Sequence, residues 1–269
     1  MADSTPSGGM LWLPTASLWR REVVSFLRQR SRVVGALGTP VVFWVLIGSG
    51  LGRSFRMPDG SGGGVESHYL EYAYPGTLAL IVLFTAIFAM ISIIEDRKVG
   101  FMQAVIASPA SRLAIVLGKV LGSTTLAVGQ SLLFLVLAPI AGVHLTVASV
   151  LALTCVLVLV SLGLSGLGFL VAWPMESTQG FHAIMNLALM PMWLLSGAFF
   201  PASGASRWLA VIMAVNPLTY GVTALRHALY LGSNQPVQAA ASPWVAILVT
   251  IVFTAATIGF SVFAVVRNR

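Results

Sequence analysis

Charge is what this chain has least of. From Val120 to Met175 there is no Asp, Glu, Lys or Arg, and further charge-free stretches run over Val33–Gly52, Tyr72–Ile94, Ser177–Ser206 and Ala228–Val266. Charged residues make up 9% of the 269 and hydrophobic ones 57%, where an ordinary globular domain has about 25% charged. That scarcity excludes a water-soluble body, because there is too little polar surface to coat one. A membrane-crossing helix needs roughly 20 apolar residues, and only helices and closed barrels satisfy the backbone in hydrocarbon. The apolar stretches are long and continuous, unlike the alternating segments of about ten residues that build a barrel. The pattern predicts an all-α membrane protein.

Other absences narrow the chemistry. The single cysteine, Cys155, excludes an internal disulfide, and no Cys/His spacing suits a metal. There is no HExxH, no nucleophile elbow and no pair of carboxylates within a span. A phosphate loop is missing too: Gly118-Lys119 is followed by Val120 instead of Ser or Thr, and Leu113 stands where the loop needs glycine. Hence no catalytic residue, cofactor site or metal site is expected in this chain. If ATP powers it, ATP and Mg are bound by another polypeptide. The net charge of +7 reads as basic residues facing anionic headgroups, a membrane-lipid contact, with no nucleic-acid partner expected.

What is present orders itself along the chain. Residues 1–14 are mostly small and polar and read as a flexible N-terminus, ahead of a single transmembrane domain over 15–269. The segment 15–32 places Trp19, Val23, Phe26 and Leu27 on one helical face and Arg21, Arg28 and Arg32 on the opposite one, the pattern of an interfacial helix. Six spans are predicted, at about 33–51, 74–94, 113–140, 147–173, 181–199 and 244–266. Pro40 falls in the first of them. The Gly/Ser-rich stretch before the second span, up to Tyr72, reads as an exposed loop, and Lys119, near the start of the third, as a side chain that snorkels to the surface. Between the second and third spans lies a polar segment, 95–112. Residues 201–232 contain two apolar pieces, each too short to cross, and read as a re-entrant or interfacial helical pair.

The Lys and Arg residues set the orientation. Arg20, Arg21, Arg28, Arg30, Arg32, Arg97, Lys98, Arg112, Lys119, Arg267 and Arg269 fall on one side, against Arg53, Arg56, Arg207 and Arg226 on the other. Both termini are therefore expected in the cytoplasm, with the protein in the plasma or inner membrane. Gln130, and the pair His182 and Asn186 one turn apart, are candidates for a polar pathway lining or for helix–helix hydrogen bonds. The small-residue pairs Gly118/Gly122 and Ser161/Ser165 allow close helix approach. Met90, Met102, Met185, Met190, Met192 and Met213 suit either an adaptable surface or core packing.

Two segments resemble a known family. EDRKVGFMQAVIASPASRLAIVLGKVLG, residues 95–122, is similar to the cytoplasmic loop of ABC-2 type exporter permeases, through Glu95, Arg97, Gly100, Ser108-Pro109, Arg112 and Gly118-Lys119. Residues 197–232 resemble that family's extracellular re-entrant hairpin, through Phe200-Pro201, Asn216-Pro217-Leu218-Thr219-Tyr220 and Arg226. The resemblance implies a permease without enzymatic activity of its own. It would pair with a second permease copy and couple to separate ABC ATP-binding subunits through a coupling helix at 95–112, involving Glu95, Asp96, Arg97, Lys98, Gly100, Ser108, Pro109 and Arg112. Arg97 and Lys98 are suited to carboxylates on that soluble partner. A hydrophobic drug or antibiotic is the expected cargo. A lipid-linked polysaccharide or lipid conjugate is the alternative within the class, and an intramembrane lipid-modifying enzyme or a non-transporting scaffold lies outside it.

Overall fold

In a computed structural model, residues 9–51, 65–108, 110–199, 206–232 and 239–267 are described, and no strand occurs among them. The helices in order are α1 (Gly9–Arg28), α2 (Arg30–Leu51), α3 (Val65–Lys98), α4 (Phe101–Ala107), α5 (Arg112–Phe134, continued by a 3₁₀ segment to Ala141), α6 (Val147–Ala172), α7 (Thr178–Leu194), α8 (Arg207–Val215), α9 (Pro217–Leu229) and α10 (Pro243–Arg267). The all-helical reading stands.

Four of these are long and apolar enough to cross a membrane: α3 from Tyr69, α5 with its extension, α6 and α10. The pair α8/α9, bent by 82° at Asn216, is a fifth if counted as one span. α2 runs on through Pro40. α7 has 17 residues, about 26 Å at 1.5 Å per residue, just short of a hydrocarbon core of about 30 Å.

α3 is the central column. From Leu78 to Leu83 every side chain is buried, and a helix apolar on all sides belongs in the middle of a bundle. Between lipid-embedded helices apolar area supplies little net drive, so close packing and polar contacts hold them together. Gly118 and Gly122 let α1 lie against α5. A Cβ added at either would meet Cβ of Leu18 at 2.6 Å or of Glu22 at 2.7 Å. Ser165 Oγ donates to Ser123 Oγ at 2.8 Å, joining α6 to α5, and Ser261 Oγ donates to the Gly166 carbonyl at 3.0 Å, joining α10 to α6.

Four expectations need correction. The stretch read as an exposed loop up to Tyr72 is helical from Val65, and Tyr69 and Tyr72 are buried. Tyr72 and Glu71 find protein partners there, which composition alone does not reveal. The interfacial helix is not continuous over 15–32: α1 ends at Arg28, and Gln29 separates it from α2. The face of α1 turned to the protein carries Thr15, Leu18, Glu22 and Phe26, while Trp12, Leu13, Trp19 and Leu27 face outward. Lys119 does not snorkel. It is 1% exposed, because carboxylates from two other helices reach it.

Candidate functional site

Two polar centres lie at opposite ends of the bundle. The first begins with α5. Ser111 caps that helix, its hydroxyl accepting from the Ala114 N–H at 3.1 Å, and two turns later Lys119 points inward. The Nζ lies 2.5 Å from Glu22 Oε2 of α1 and donates to Asp96 Oδ2 of α3 at 2.6 Å and to Ser92 Oγ at 2.9 Å. An ammonium has three donors, and all three are used.

Asp96 is also gripped by Arg21 of α1, whose Nη1 and Nη2 donate to its two oxygens at 2.7 and 2.5 Å. This fork-on-fork pair is the strong, directional form of a charged hydrogen bond. The bond to Asp96 holds the Arg21 guanidinium proton more firmly than in an ordinary arginine. The guanidinium also stacks 3.8 Å over the ring of Phe101, the first residue of α4. Next along α3, Glu95 pairs with Arg32 of α2. Two carboxylates and two cations thus neutralise one another where α1, α3 and α5 meet, with α4 attached through an aromatic face.

Arg97 points elsewhere. Its guanidinium donates to the carbonyls of Trp173 (2.5 Å) and Met175 (3.1 Å) and lies 5.3 Å from the Trp173 ring centroid. It satisfies carbonyls at the end of α6, which a helix terminus leaves unbonded. Lys98 and Val99 are exposed beside it. Gly100 precedes α4 with φ of +77°, a left-handed conformation open to glycine. Met102 packs α4 onto the bundle, leaving Gln103, Ala104 and Ala107 outward. Ser108 ends α4 in an extended conformation, the bias of a residue before proline. Pro109 itself lies outside the described residues. Arg112 opens α5, and its Nη1 is buried with no hydrogen-bond partner among the described residues.

The second centre lies around α8 and α9. Asn216 is the corner. Its Oδ1 accepts from the Leu218 N–H at 3.0 Å, capping α9, and its Nδ2 donates to the Met192 carbonyl of α7 at 2.5 Å. Pro217 takes the first helical position, where its missing N–H costs nothing. Tyr220 OH donates to the Ala214 carbonyl at 2.8 Å, closing the corner from the α9 side.

One face of α9 carries Arg226 into the bundle. It is buried, donates to the carbonyls of Tyr72 and Gly197, both at 3.3 Å, and sits 4.2 Å over the Tyr72 ring. Tyr72 OH donates to the same Gly197 carbonyl at 3.1 Å, and Tyr230 OH donates to Glu71 at 3.1 Å. Burial, with Glu71 adding to it, pushes the Tyr230 phenol well above its ordinary value. Trp193 Nε1 donates to the Gly76 carbonyl at 2.8 Å, so the turn after α7 is bonded to α3 at several points. Phe200 and Pro201 lie outside the described residues.

The three pathway-lining candidates do not converge. Gln130 is buried, its Oε1 accepting from Thr85 Oγ1 at 3.0 Å. His182 stands edge-on to Phe88, 5.7 Å between ring centroids, and Asn186 is exposed on the outer face of α7. Met90, Met102, Met185 and Met213 are core residues.

Sequence reasoning missed Glu22 and Lys119 as partners. The available signal was one acidic residue on a helix otherwise rich in arginine, and one lysine inside an apolar helix. A buried charge needs an opposite one. The sequence model of the ABC-2 type transporter family matches residues 15–230. The chain is 23% identical over 212 residues to a putative transport permease, ycf38, of Cyanophora paradoxa, covering 78% of this chain and 71% of that protein. It is 26% identical over 224 residues to Nodulation protein J of Rhizobium leguminosarum bv. viciae, covering 82% and 83%. It is also 26% identical over 205 residues to a probable multidrug ABC transporter permease, YbhR, of Escherichia coli, covering 74% of this chain and 54% of that longer protein.

Proposed function

This chain belongs to the ABC-2 type transporter family, an integral-membrane permease, and on that premise we propose that it forms the substrate path of an ATP-driven exporter as a dimer, driven by separate ATP-binding subunits docked on α4. Six crossings, by α2, α3, α5, α6, α7 and α10, then put both termini and α4 in the cytoplasm, and α8/α9 form the re-entrant pair on the outer side.

The observation that carries this reading is the four-charge cluster. Arg21, Glu22, Asp96 and Lys119 bind α1, α3 and α5 to one another, and Arg21 adds α4 through Phe101. A push on α4 is thereby delivered to three helices together, without being lost in side-chain rearrangement. Nucleotide-driven closure of the motor biases two arrangements of these helices. The motor grips what α4 and the turn before it leave outward: Lys98, Val99, Gln103 and Ala107. Arg97, held by carbonyls of its own chain, serves to fix the turn that presents them.

A hydrophobic cargo suits a path without converging polar side chains, and a multidrug permease among the relatives supports the same class. The test is co-expression with a candidate ATP-binding subunit, reading co-purification and ATP turnover. Val99→Asp and Lys98→Glu are expected to abolish both while leaving the permease's thermal stability unchanged. Failure of the wild-type chain to retain any such subunit, or indifference of turnover to both variants, overturns the reading.

A further inference from the structure

Between the last turns of α7 and the outward face of α8 runs an apolar groove of about 470 Å³, lined by Pro191, Met192, Leu195, Val211, Ile212 and Val215. Nothing in the coupling mechanism uses it. The groove is fixed in shape, because Asn216 ties the end of α8 to the Met192 carbonyl at 2.5 Å and Met213 anchors the other side of α8 in the core. Its α8 wall stays uncovered: Val211 is 59% and Val215 78% exposed.

The residues at the head of the groove state what it takes. Arg207 stands one turn before Val211 and Trp208 one turn before Ile212, so both lie on the groove side of α8. Arg207 is exposed, and no carboxylate pairs with it among the described residues. Trp208 is 67% exposed. Trp and Arg at the end of an apolar surface mark the headgroup level of a bilayer. An apolar trough leading away from one cation matches a molecule with a hydrocarbon tail and one negative charge.

We propose that this groove seats an acyl chain of an anionic bilayer phospholipid, with the headgroup phosphate held by Arg207. The lipid chain lies along the groove between α7 and α8. This is a lipid site on the outer rim of the permease, separate from the motor-facing α4, and it stands whether or not an ATP-binding subunit docks there.

The test uses the full chain in two ways. In detergent, native mass spectrometry counts bound phosphatidylglycerol and phosphatidylcholine during titration. In phosphatidylcholine vesicles, phosphatidylglycerol bearing a photoreactive acyl chain is cross-linked to the wild-type protein and the labelled peptides are mapped. The expected result is tighter retention of phosphatidylglycerol, weakened about fivefold by Arg207→Gln and abolished by Val211→Trp, with label concentrated at 191–195 and 211–215. The mapping needs no variant, so it decides the matter even if Val211→Trp fails to fold. Label spread evenly over the outward faces of α6 and α10, or equal retention of the two lipids, overturns the proposal. So does cross-linking between copies through Val215→Cys in a Cys155→Ala background, which would put a second copy in the groove.

Discussion

At the α1/α4 end, helices are joined mainly side chain to side chain: Lys119 to Glu22 and Asp96, Arg21 to Asp96, Arg32 to Glu95. At the α8/α9 end the joints are mainly side chain to backbone, with Asn216, Tyr72, Trp193 and Arg226 donating to carbonyls of α3, of α7 and of the turn that follows α7. The difference follows from what each end must satisfy. Where helices pass one another whole, their backbones are already bonded internally, and only side chains are left to join them. Where the chain bends, as at Gly197 and Asn216, carbonyls are freed in an apolar setting and each needs a donor.

The choice of cation fits. Lysine is a compact point charge with three donors, suited to two carboxylates and a hydroxyl around one point. Arginine is a planar fork that bonds in its plane and stacks through its face, suited to two carbonyls and the Tyr72 ring.

The contrast can be broken by substitution, and the largest effect is expected at Lys119. Lys119→Met leaves Glu22 buried and unpaired, for a loss of about 3–5 kcal/mol, read as a fall in the unfolding midpoint of the detergent-solubilised protein. Adding Glu22→Leu restores most of it, because Asp96 keeps Arg21. Equal instability of the single and double variants would show that the cluster is not held by charge pairing. Next is Arg226→Lys, which keeps the charge and loses the planar group stacked on the Tyr72 ring, costing about 1–2 kcal/mol. A neutral outcome there would erase the distinction drawn between the two cations.

Gly118→Ala forces α1 off α5, since the new Cβ meets Leu18 at 2.6 Å. About 1–3 kcal/mol is expected, together with lowered ATP coupling. Asn216→Ala removes a helix cap at about 1 kcal/mol, and limited proteolysis should detect loosening confined to α8 and α9. Lys98→Glu sharpens the comparison from the other side: a change at an exposed residue of the α4 end should leave stability untouched while abolishing co-purification and ATP turnover.

The corner of the second centre was more legible from the sequence than the first centre was. Asn216-Pro217 marks its own corner, since a capping side chain followed by proline is a helix start whatever surrounds it. Glu95 through Lys98 was visible as a charged run, but the roles within it were not. Arg97 is suited to a partner's carboxylate, and the structure places its guanidinium on the carbonyls of Trp173 and Met175. The buried face of α1 differs from the expected one because Glu22, inward with Leu18 and Phe26, meets Lys119 inside the bundle.

Sequence alone determined that this chain is helical and lives in lipid, and roughly where α5 with its extension, α6 and α10 begin and end. Those properties follow from composition and from signals a few residues long: charge-free length, glycine and proline. Tertiary structure decided that Lys119 is buried, which face of α1 turns inward, and that α3 begins at Val65. Each of these depends on a partner supplied by a distant part of the chain, and a charge or hydroxyl is stable inside the bundle only where such a partner arrives.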